Sequence, residues 1–223
     1  MPFEHVAKFM RQLSHDLRNN LGSFDLQTAF IAELVTDPEA SVELKKLRSM
    51  IAGTAKTLQA VSGSFWVQTP NLIALPARMF IEDFRERLQK QQPDAPVTEW
   101  VVELGDETIS IDFEMVFRAF AELFRNAFHF HESKEPLNAR ATREEGTFSL
   151  ELREIRPLVD TPPGTWGQAP FISTRRAGYG LGLFHARQIL SAHEGHVDFS
   201  HDAAAGTVTT RVRLPLSAVT ADE

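Results

Sequence analysis

The sequence contains no cysteine among its 223 residues, so disulfide bonds, thiolate metal sites and cysteine nucleophiles are excluded. It lacks any apolar run near the roughly 20 residues that a membrane span requires. Its first residues, MPFEHVAKFMRQ, lack the apolar core of a signal peptide. Acidic residues outnumber basic ones by 30 to 23, which disfavours a nucleic-acid partner because phosphate recognition usually needs a basic face. We therefore expect a soluble, cytoplasmic protein without membrane or nucleic-acid partners.

In the first third of the chain, apolar side chains recur at alternating steps of three and four residues. The first series is Phe3, Val6, Met10, Leu13, Leu17, Phe24, Ile31 and Leu34, and the second is Leu44, Leu47, Ile51, Leu58, Val61 and Phe65. This is the a and d pattern of helices that pack along their length. The turn-forming segment TDPEAS (36–41) separates the series, which predicts an antiparallel hairpin. One hairpin cannot cover its own apolar stripe, so we expect a homodimer with a four-helix bundle.

The pattern changes after the segment VQTPNLIALP (67–76), whose two prolines indicate a domain joint. We expect a helical domain at 1–68, a linker at 69–76 and a second domain at 77–223. In the second domain, periodicity predicts helices at 76–94, 113–131 and 181–195, and antiparallel strands at 97–104, 107–112, 139–146, 147–155 and 196–215. The fold class is therefore α+β: a helical hairpin followed by a two-layer α/β sandwich.

The segment SHDLRNNL (14–21) places reactive side chains on the surface of the first helix. His15 falls at heptad position f, so its imidazole should face solvent. Asp16 is its neighbour, and Asn19 lies one turn further on the same face. Most surface histidines have no special role, but this one has a carboxylate and a carboxamide beside it. Imidazole is a good nucleophile near neutral pH, so His15 is a candidate reactive group.

Two other stretches carry polar or glycine residues in a suggestive arrangement. ELFRNAFHF (122–130) places Glu122 and Asn126 on one face of a strongly apolar helix, where burial without partners would be costly. GYGLGL (178–183) places Gly178, Gly180 and Gly182 just before a helix. Backbone N–H groups and a helix N-terminus can cradle a phosphate there, although such glycine runs also form tight turns.

In this order and at this spacing, the three stretches resemble the H, N and G2 boxes of a two-component sensor histidine kinase core. That core is a dimerisation and phosphoacceptor hairpin followed by a GHKL, or Bergerat-like, ATP-binding domain, and the resemblance covers nearly the whole chain. It implies that His15 accepts a phosphoryl group, with Asp16 as its base or orienting group. It also implies that Asn19 positions water for dephosphorylation of a response regulator. In the N box, it implies that Asn126 binds Mg²⁺, with Glu122 where related families carry Asn or a catalytic Glu.

The G1 box of the family, usually Asp-x-Gly-x-Gly at the end of a strand, is degenerate in this sequence. The family's Asp reads the adenine amino group, and two alignments for it remain open. The strand phase of FSLELRE places Glu154 at the Asp position, with Arg156 and Leu158 at the glycine positions. The segment DTPPG instead offers Asp160 and Gly164. In both alignments, glycines that would let the backbone approach a nucleotide are lost.

A short lid follows, in which two arginines are candidate phosphate contacts. The residues that the resemblance assigns to ATP are Asn126, Glu154 or Asp160, Arg175, Arg176, Gly178, Gly180, Gly182 and Thr207.

The favoured hypothesis from the sequence is a protein-histidine kinase, a transferase that phosphorylates His15 from Mg-ATP within a homodimer. It would pass the group to an aspartate of a response-regulator receiver domain and also act as a phosphatase of that regulator. The alternative is a histidine phosphotransferase of kinase-like architecture that does not use ATP, which the degenerate G1 box favours and the N and G2 boxes disfavour. A third hypothesis is a non-enzymatic scaffold. Input would come from a sensor protein in trans, or the chain is a fragment of a longer protein.

Overall fold

The computed structural model describes residues 3–63, 69–173 and 180–217, and the chain divides into two compact units, residues 1–66 and 67–223. In the first unit, α1 (Phe3–Leu34) and α2 (Pro38–Gly63) form a hairpin. Asp37 supports the start of α2, because its carboxylate accepts a hydrogen bond from the Glu39 N–H at 3.0 Å. Pro38 stands in the first helical position, where its missing N–H would have had no partner. The turn predicted at 36–41 therefore lies as expected.

Helix α1 faces α2 with residues that neighbour the predicted a and d positions. Those a and d residues whose side chains are described remain exposed. Ser14 and Thr28 are buried. Five residues of the first series have side chains that the structure describes, and they are 38–65% exposed: Leu13, Leu17, Phe24, Ile31 and Leu34. We call these five residues the apolar stripe. The hairpin thus leaves the apolar stripe uncovered, as the sequence predicts. Phe3, Val6, Met10, Val61 and Phe65 lie outside the part of the chain whose side chains the structure describes.

The second unit combines helices with a mixed sheet, which confirms the predicted α+β architecture. Its elements are β1 (Ile73–Pro76), α3 (Ala77–Gln91), β2 (Thr98–Glu103), β3 (Thr108–Ile111), α4 (Phe113–Phe130), β4 (Leu137–Glu144), β5 (Thr147–Ile155), a 3₁₀ turn (Pro163–Thr165), α5 (Gly182–Ala192), β6 (His196–Asp202) and β7 (Thr207–Pro215). Five strands form one sheet in the order β2-β4-β5-β7-β6, and β1 pairs with β3. Within the described residues, no helix has the length and apolar character that crossing a bilayer requires.

Two sequence expectations about this unit are wrong. The strands are not all antiparallel, because β2 pairs with β4 in parallel. The predicted linker at 69–76 contains β1, which pairs with β3 in antiparallel register from Ile73 to Pro76. The two prolines indicated a joint, but Pro76 is the last residue of a strand in a two-stranded sheet, where a proline is tolerated.

A cluster of phenylalanines fixes α3 and α4 on the sheet. Phe84 of α3 lies 5.2 Å from Phe124 of α4 between ring centroids, and Phe120 of α4 lies 6.4 Å from Phe148 of β5. All four rings are almost completely buried. Aromatic rings contribute large buried areas and prefer these offset and edge contacts, so the position of α4 over β5 is well determined. This packing sets the polar face of α4 beside the end of β5.

Candidate functional site

His15 lies on the exposed surface of α1 with Asp16 and Asn19 beside it. The side chain of His15 is 64% exposed. Its Nδ1 lies 3.3 Å from Asp16 Oδ1 and 3.3 Å from Asn19 Nδ2. Gln12 donates a hydrogen bond of 3.0 Å to the same Asp16 oxygen, which holds the carboxylate in place. Spacings of one and four residues on a helix are what bring these groups together.

Which of the two contacts at Nδ1 is a hydrogen bond depends on which ring nitrogen of His15 carries the proton. When Nδ1 carries the proton, it donates to Asp16, and the lone pair of a neutral imidazole is then on Nε2. When Nδ1 is unprotonated, it can accept from the Asn19 amide. No hydrogen bond within the described residues engages Nε2. In the tautomer that donates from Nδ1 to Asp16, the Nε2 lone pair is therefore available to react.

In the second unit, one face of α4 carries Glu122, Asn126 and Phe130 at successive intervals of four residues. Eight residues of helix span about 12 Å, so this row is as long as an extended small ligand. Glu122 Oε1 accepts a hydrogen bond of 2.7 Å from Arg125, and Asn126 is half-buried. The row begins at the N-terminus of α5 and ends at β5.

Gly180 and Gly182 bring two segments close together at the start of α5. Gly180 has a φ of +65°, and a Cβ there would stand 2.5 Å from backbone atoms of Ile172. Its carbonyl accepts a hydrogen bond of 3.1 Å from the Phe171 N–H. A Cβ on Gly182 would stand 2.8 Å from Glu122 Oε2, so a larger residue there would displace this carboxylate from the first residue of α5. Arg175, Arg176 and Gly178 lie outside the described residues.

Two charged residues continue the inward-facing phase of β5. Leu150 and Leu152 point into the core, and the same alternation carries Glu154 and Arg156 inward, where they are 3% and 5% exposed. Glu154 Oε1 lies 3.7 Å from an Arg156 nitrogen, and no donor within the described residues is at hydrogen-bonding distance from either Glu154 oxygen. Burial raises the pKa of Glu154 to about 8, although the Arg156 charge acts to lower it.

The guanidinium of Arg156 lies against two aromatic rings. Its central carbon is 3.8 Å from the Phe130 ring centroid and 4.7 Å from that of Trp166. We call the space that these two rings border the aromatic slot. Sequence reasoning did not single out Phe130 or Trp166. Phe130 was detectable as the next residue of the face that carries Glu122 and Asn126, whereas Trp166 lies in a segment without periodicity.

The other candidate residues lie apart from this arrangement. Asp160 is exposed in the loop after β5, and no hydrogen bond or ion pair within the described residues joins it to Glu154 or Arg156. Thr207 is half-buried at the start of β7, paired in the sheet with Ile155 and Asp202. The structure thus brings together Glu122, Gly182, Asn126 and the end of β5, with Glu154 as the buried acid there.

Mg-ATP, which the family resemblance implies, does not fit the second unit as it stands. The family resemblance implies that the base lies beside the residue at the Glu154 position, and there the Arg156 guanidinium occupies the aromatic slot. Within the described residues, no group of three or more His, Asp or Glu side chains could hold a metal ion by itself. Asn126 could therefore hold Mg²⁺ only together with the phosphates of a bound nucleotide.

Comparison with known proteins gives matches of structure only. No protein-family model and no curated protein matches the sequence. The crystal structure of full-length ShkA in complex with AMPPNP matches with a TM-score of 0.76 and 17% identity, over 96% of this chain and 47% of ShkA. The mycobacterial sensor histidine kinase MprB matches with a TM-score of 0.54 and 19% identity, over 65% of this chain and 97% of the MprB chain. The catalytic domain of histidine kinase ThkA matches with a TM-score of 0.56 and 14% identity, over 65% of this chain and 95% of the ThkA chain.

This chain spans about half the length of the ShkA structure, 47% of it. The ShkA match extends over both units, so the hairpin and the sandwich together correspond to one part of a kinase. These findings establish architecture, and the chain therefore has the fold of a histidine kinase core.

Proposed function

We propose that this protein is a histidine phosphotransferase of two-component signalling. In this proposal, His15 takes a phosphoryl group from the aspartate of one receiver domain and passes it to the aspartate of another. The observation that carries the proposal is the exposed His15 imidazole, whose Nδ1 lies 3.3 Å from Asp16 while Nε2 faces solvent. The resemblance to a sensor histidine kinase core supports it, because that resemblance implies a phosphoacceptor histidine on a helical hairpin.

The transfer needs only groups that His15 and the aspartyl phosphate supply. The Nε2 lone pair attacks phosphorus, an N–P bond forms, and the P–O bond to the receiver carboxylate breaks with its electron pair leaving on that carboxylate. The imidazole becomes positively charged and retains its Nδ1 proton, which faces the Asp16 carboxylate. Attack by a second receiver aspartate on the same phosphorus reverses these steps and restores neutral His15.

A homodimer is the second part of the proposal. The apolar stripe of α1 lies on the a and d positions, whereas α1 meets α2 through positions such as Ser14 and Thr28. A second hairpin would cover the stripe and leave His15, at position f, on the outside of the resulting four-helix bundle. Dimerisation therefore does not obstruct access of a receiver domain to His15.

A groove on the hairpin suits an acidic partner. A cavity of about 620 Å³ lies between α1 and α2. Its charged lining residues are Arg18, Lys45, Arg48 and Asp25; Asp25 pairs with Arg48 at 3.1 Å, so the positive charge in excess comes from Arg18 and Lys45. Arg18 is three residues from His15, on the adjoining turn of α1. A partner that presents a phosphorylated aspartate among other carboxylates would be attracted to this basic surface.

An ATP-dependent histidine kinase is the second candidate function. One specific observation favours it: Glu122, Asn126 and the Gly182 approach are kept at the N-terminus of α5, as the N and G2 boxes require. ShkA, whose fold this chain shares, is described in complex with AMPPNP. The two candidates differ in the phosphoryl donor and agree on His15 as the acceptor.

The experiment for the acceptor uses a panel of isolated receiver domains from the source genome, each phosphorylated with acetyl phosphate. Each is mixed with wild-type protein or with His15→Gln, and peptide mass spectrometry at alkaline pH locates phosphohistidine. We expect phosphate on residue 15 of the wild type and no transfer to His15→Gln. His196→Gln is the matched control, because His196 is also an exposed histidine but lies on β6. Phosphate on the His15→Gln protein, or none on any wild-type sample, would refute the proposal.

A further inference from the structure

We infer that Arg156 is a built-in occupant of the base-binding position, and that its guanidinium keeps the adenine base of a nucleotide out of the aromatic slot. This inference deepens the proposed function and rests on it, since it explains why the phosphoryl donor would be a receiver domain and not ATP.

The inward position of Arg156 follows from the backbone of β5. Residues 150, 152, 154 and 156 alternate onto the buried side, so Arg156 is directed inward even though it lies just after the last strand residue. Its N–H donates to the Gly206 carbonyl at 2.8 Å, which extends the pairing of β5 with β7 by one residue. A change of backbone register would be needed to turn this side chain outward, and it would also expose Leu150 and Leu152.

The strand end beside Arg156 is held by a histidine. The Ile155 N–H donates to His131 Nδ1 at 3.1 Å, so the other ring nitrogen of neutral His131 carries the proton and donates to the Glu135 carbonyl at 2.8 Å. The Glu132 N–H donates to the Ile155 carbonyl at 2.8 Å. These bonds fix the C-terminal end of α4 against β5, and with it the Phe130 wall of the slot.

The second wall, Trp166, is fixed by three interactions. Its indole N–H donates to Thr161 Oγ1 at 2.9 Å, and its carbonyl accepts from Arg187 Nε at 2.6 Å. Its ring packs against Phe199 with 5.5 Å between centroids. Both walls are therefore set by contacts that do not involve Arg156. The slot should persist when the Arg156 side chain is removed.

The contacts that the Arg156 guanidinium makes in the aromatic slot are of the kinds that an adenine base would make. A guanidinium is flat, stacks on aromatic faces and carries N–H donors at its edge. In the slot it contacts both aromatic rings and has the Glu154 carboxyl group at 3.7 Å. An adenine would also present a flat ring to stack and an exocyclic amine to a carboxylate. Arg156 thus makes, within the chain, the contacts that an adenine would otherwise make.

Displacing Arg156 carries a cost that a nucleotide must overcome. The guanidinium would leave both rings and the neighbourhood of Glu154. Its cation–π attraction to the two rings would then be lost, and a nucleotide would have to make up for that loss. A nucleotide binding to the wild type would have its affinity reduced by this cost, whereas a variant without the side chain would not.

The test is Arg156→Gly, which restores the glycine of the family's G1 box, with ADP as the probe in titration calorimetry. We expect the wild type to remain unsaturated at about 1 mM ADP and Arg156→Gly to bind at least about 10-fold more tightly. Arg153→Gly is the matched control, since Arg153 is an exposed arginine on the outward side of the same strand. It should behave like the wild type.

Saturable ADP binding by the wild type, or a folded Arg156→Gly protein without gained affinity, would overturn the inference. If Arg156→Gly does not fold, Arg156→Lys replaces it: the compact ammonium cannot fill the slot as a flat group does, and ADP affinity should again rise above wild type. His15 phosphorylation by receivers should be unchanged in these variants. If no receiver phosphorylates His15 of the wild type, the proposed function alone is refuted. If the Arg156 variants do not gain affinity for ADP, this inference alone is refuted.

Discussion

Asp16 and Glu154 are carboxylates in opposite surroundings, and this difference assigns them different roles. Asp16 is 58% exposed at the side chain and lies beside His15. Glu154 is buried at the end of a strand, where desolvation raises its pKa to about 8 despite the nearby Arg156. Asp16 is therefore suited to stabilise a charge that develops on an imidazole, and Glu154 to be protonated in the folded chain near neutral pH.

Replacing Asp16 by Asn should slow phosphoryl transfer to His15 by about 10²–10⁴-fold, the range for loss of a positioned acid or base group. The amide keeps the size of the side chain but no longer stabilises the Nδ1 proton during attack. Rapid-quench measurement of transfer from a phosphorylated receiver checks this, with Glu33→Gln as the control. Glu33 is also an exposed acidic residue of α1, and it is not among the residues that line the groove. Equal rates for Asp16→Asn and wild type would show that Asp16 has no part in transfer.

Glu154 should make the unfolding free energy fall as pH rises. Its pKa is about 8 in the folded chain and about 4.5 unfolded, so between these values the folded state holds a proton that the unfolded state has released. Its contribution is complete below about pH 4.5 and is lost as pH rises through about 8. In Glu154→Gln, the unfolding free energy measured with urea should depend less on pH across this window. The variant should also be more stable than the wild type above the window. The exposed control Glu99→Gln should keep the wild-type profile, and an unchanged slope in Glu154→Gln would contradict the assignment.

At the scale of elements, periodicity predicted the helices and strands well because each is defined by its own side-chain pattern. The strand TFSLELREI was predicted at 147–155, and β5 spans Thr147–Ile155. The pairing of the strands was harder to predict than the strands themselves. The parallel contact of β2 with β4 depends on tertiary packing and not on the side-chain pattern of either strand. Strand β1 was missed because its prolines resembled a linker. Only its partner β3, well over 30 residues away, reveals it.

The apolar stripe gives the prediction that belongs to α1. Leu17→Glu combined with Phe24→Glu should convert the expected homodimer to monomers, because two charges on each copy would be buried in the bundle. Leu26→Glu is the matched control: Leu26 is on the same helix and 74% exposed, but lies off the stripe. Light scattering with size-exclusion chromatography measures the mass. A stable dimer in the double variant would show that the stripe is not the interface.

At the scale of the whole molecule, the proposal gives the two units different roles. The hairpin carries the proposed acceptor, and the cluster of His15, Asp16 and Asn19 could be predicted from one short motif because a helix fixes their geometry locally. The sandwich holds the slot, which needs Phe130 from α4, Arg156 from β5 and Trp166 from a loop. One of the two G1-box alignments that the sequence allows places Arg156 at a glycine position. The sequence could not show that the arginine lies against two rings, because that depends on tertiary packing.

The most direct test of the central claim offers wild-type protein two donors in parallel. One sample receives Mg²⁺ and γ-labelled ATP, and the other receives the receiver panel carrying labelled phosphate. His15→Gln serves as the blank in both, and acid-labile, base-stable label on the protein is counted. The account predicts label on His15 from a receiver and none above the blank from ATP. Label on His15 from ATP alone would contradict it and would establish the protein as an ATP-dependent histidine kinase.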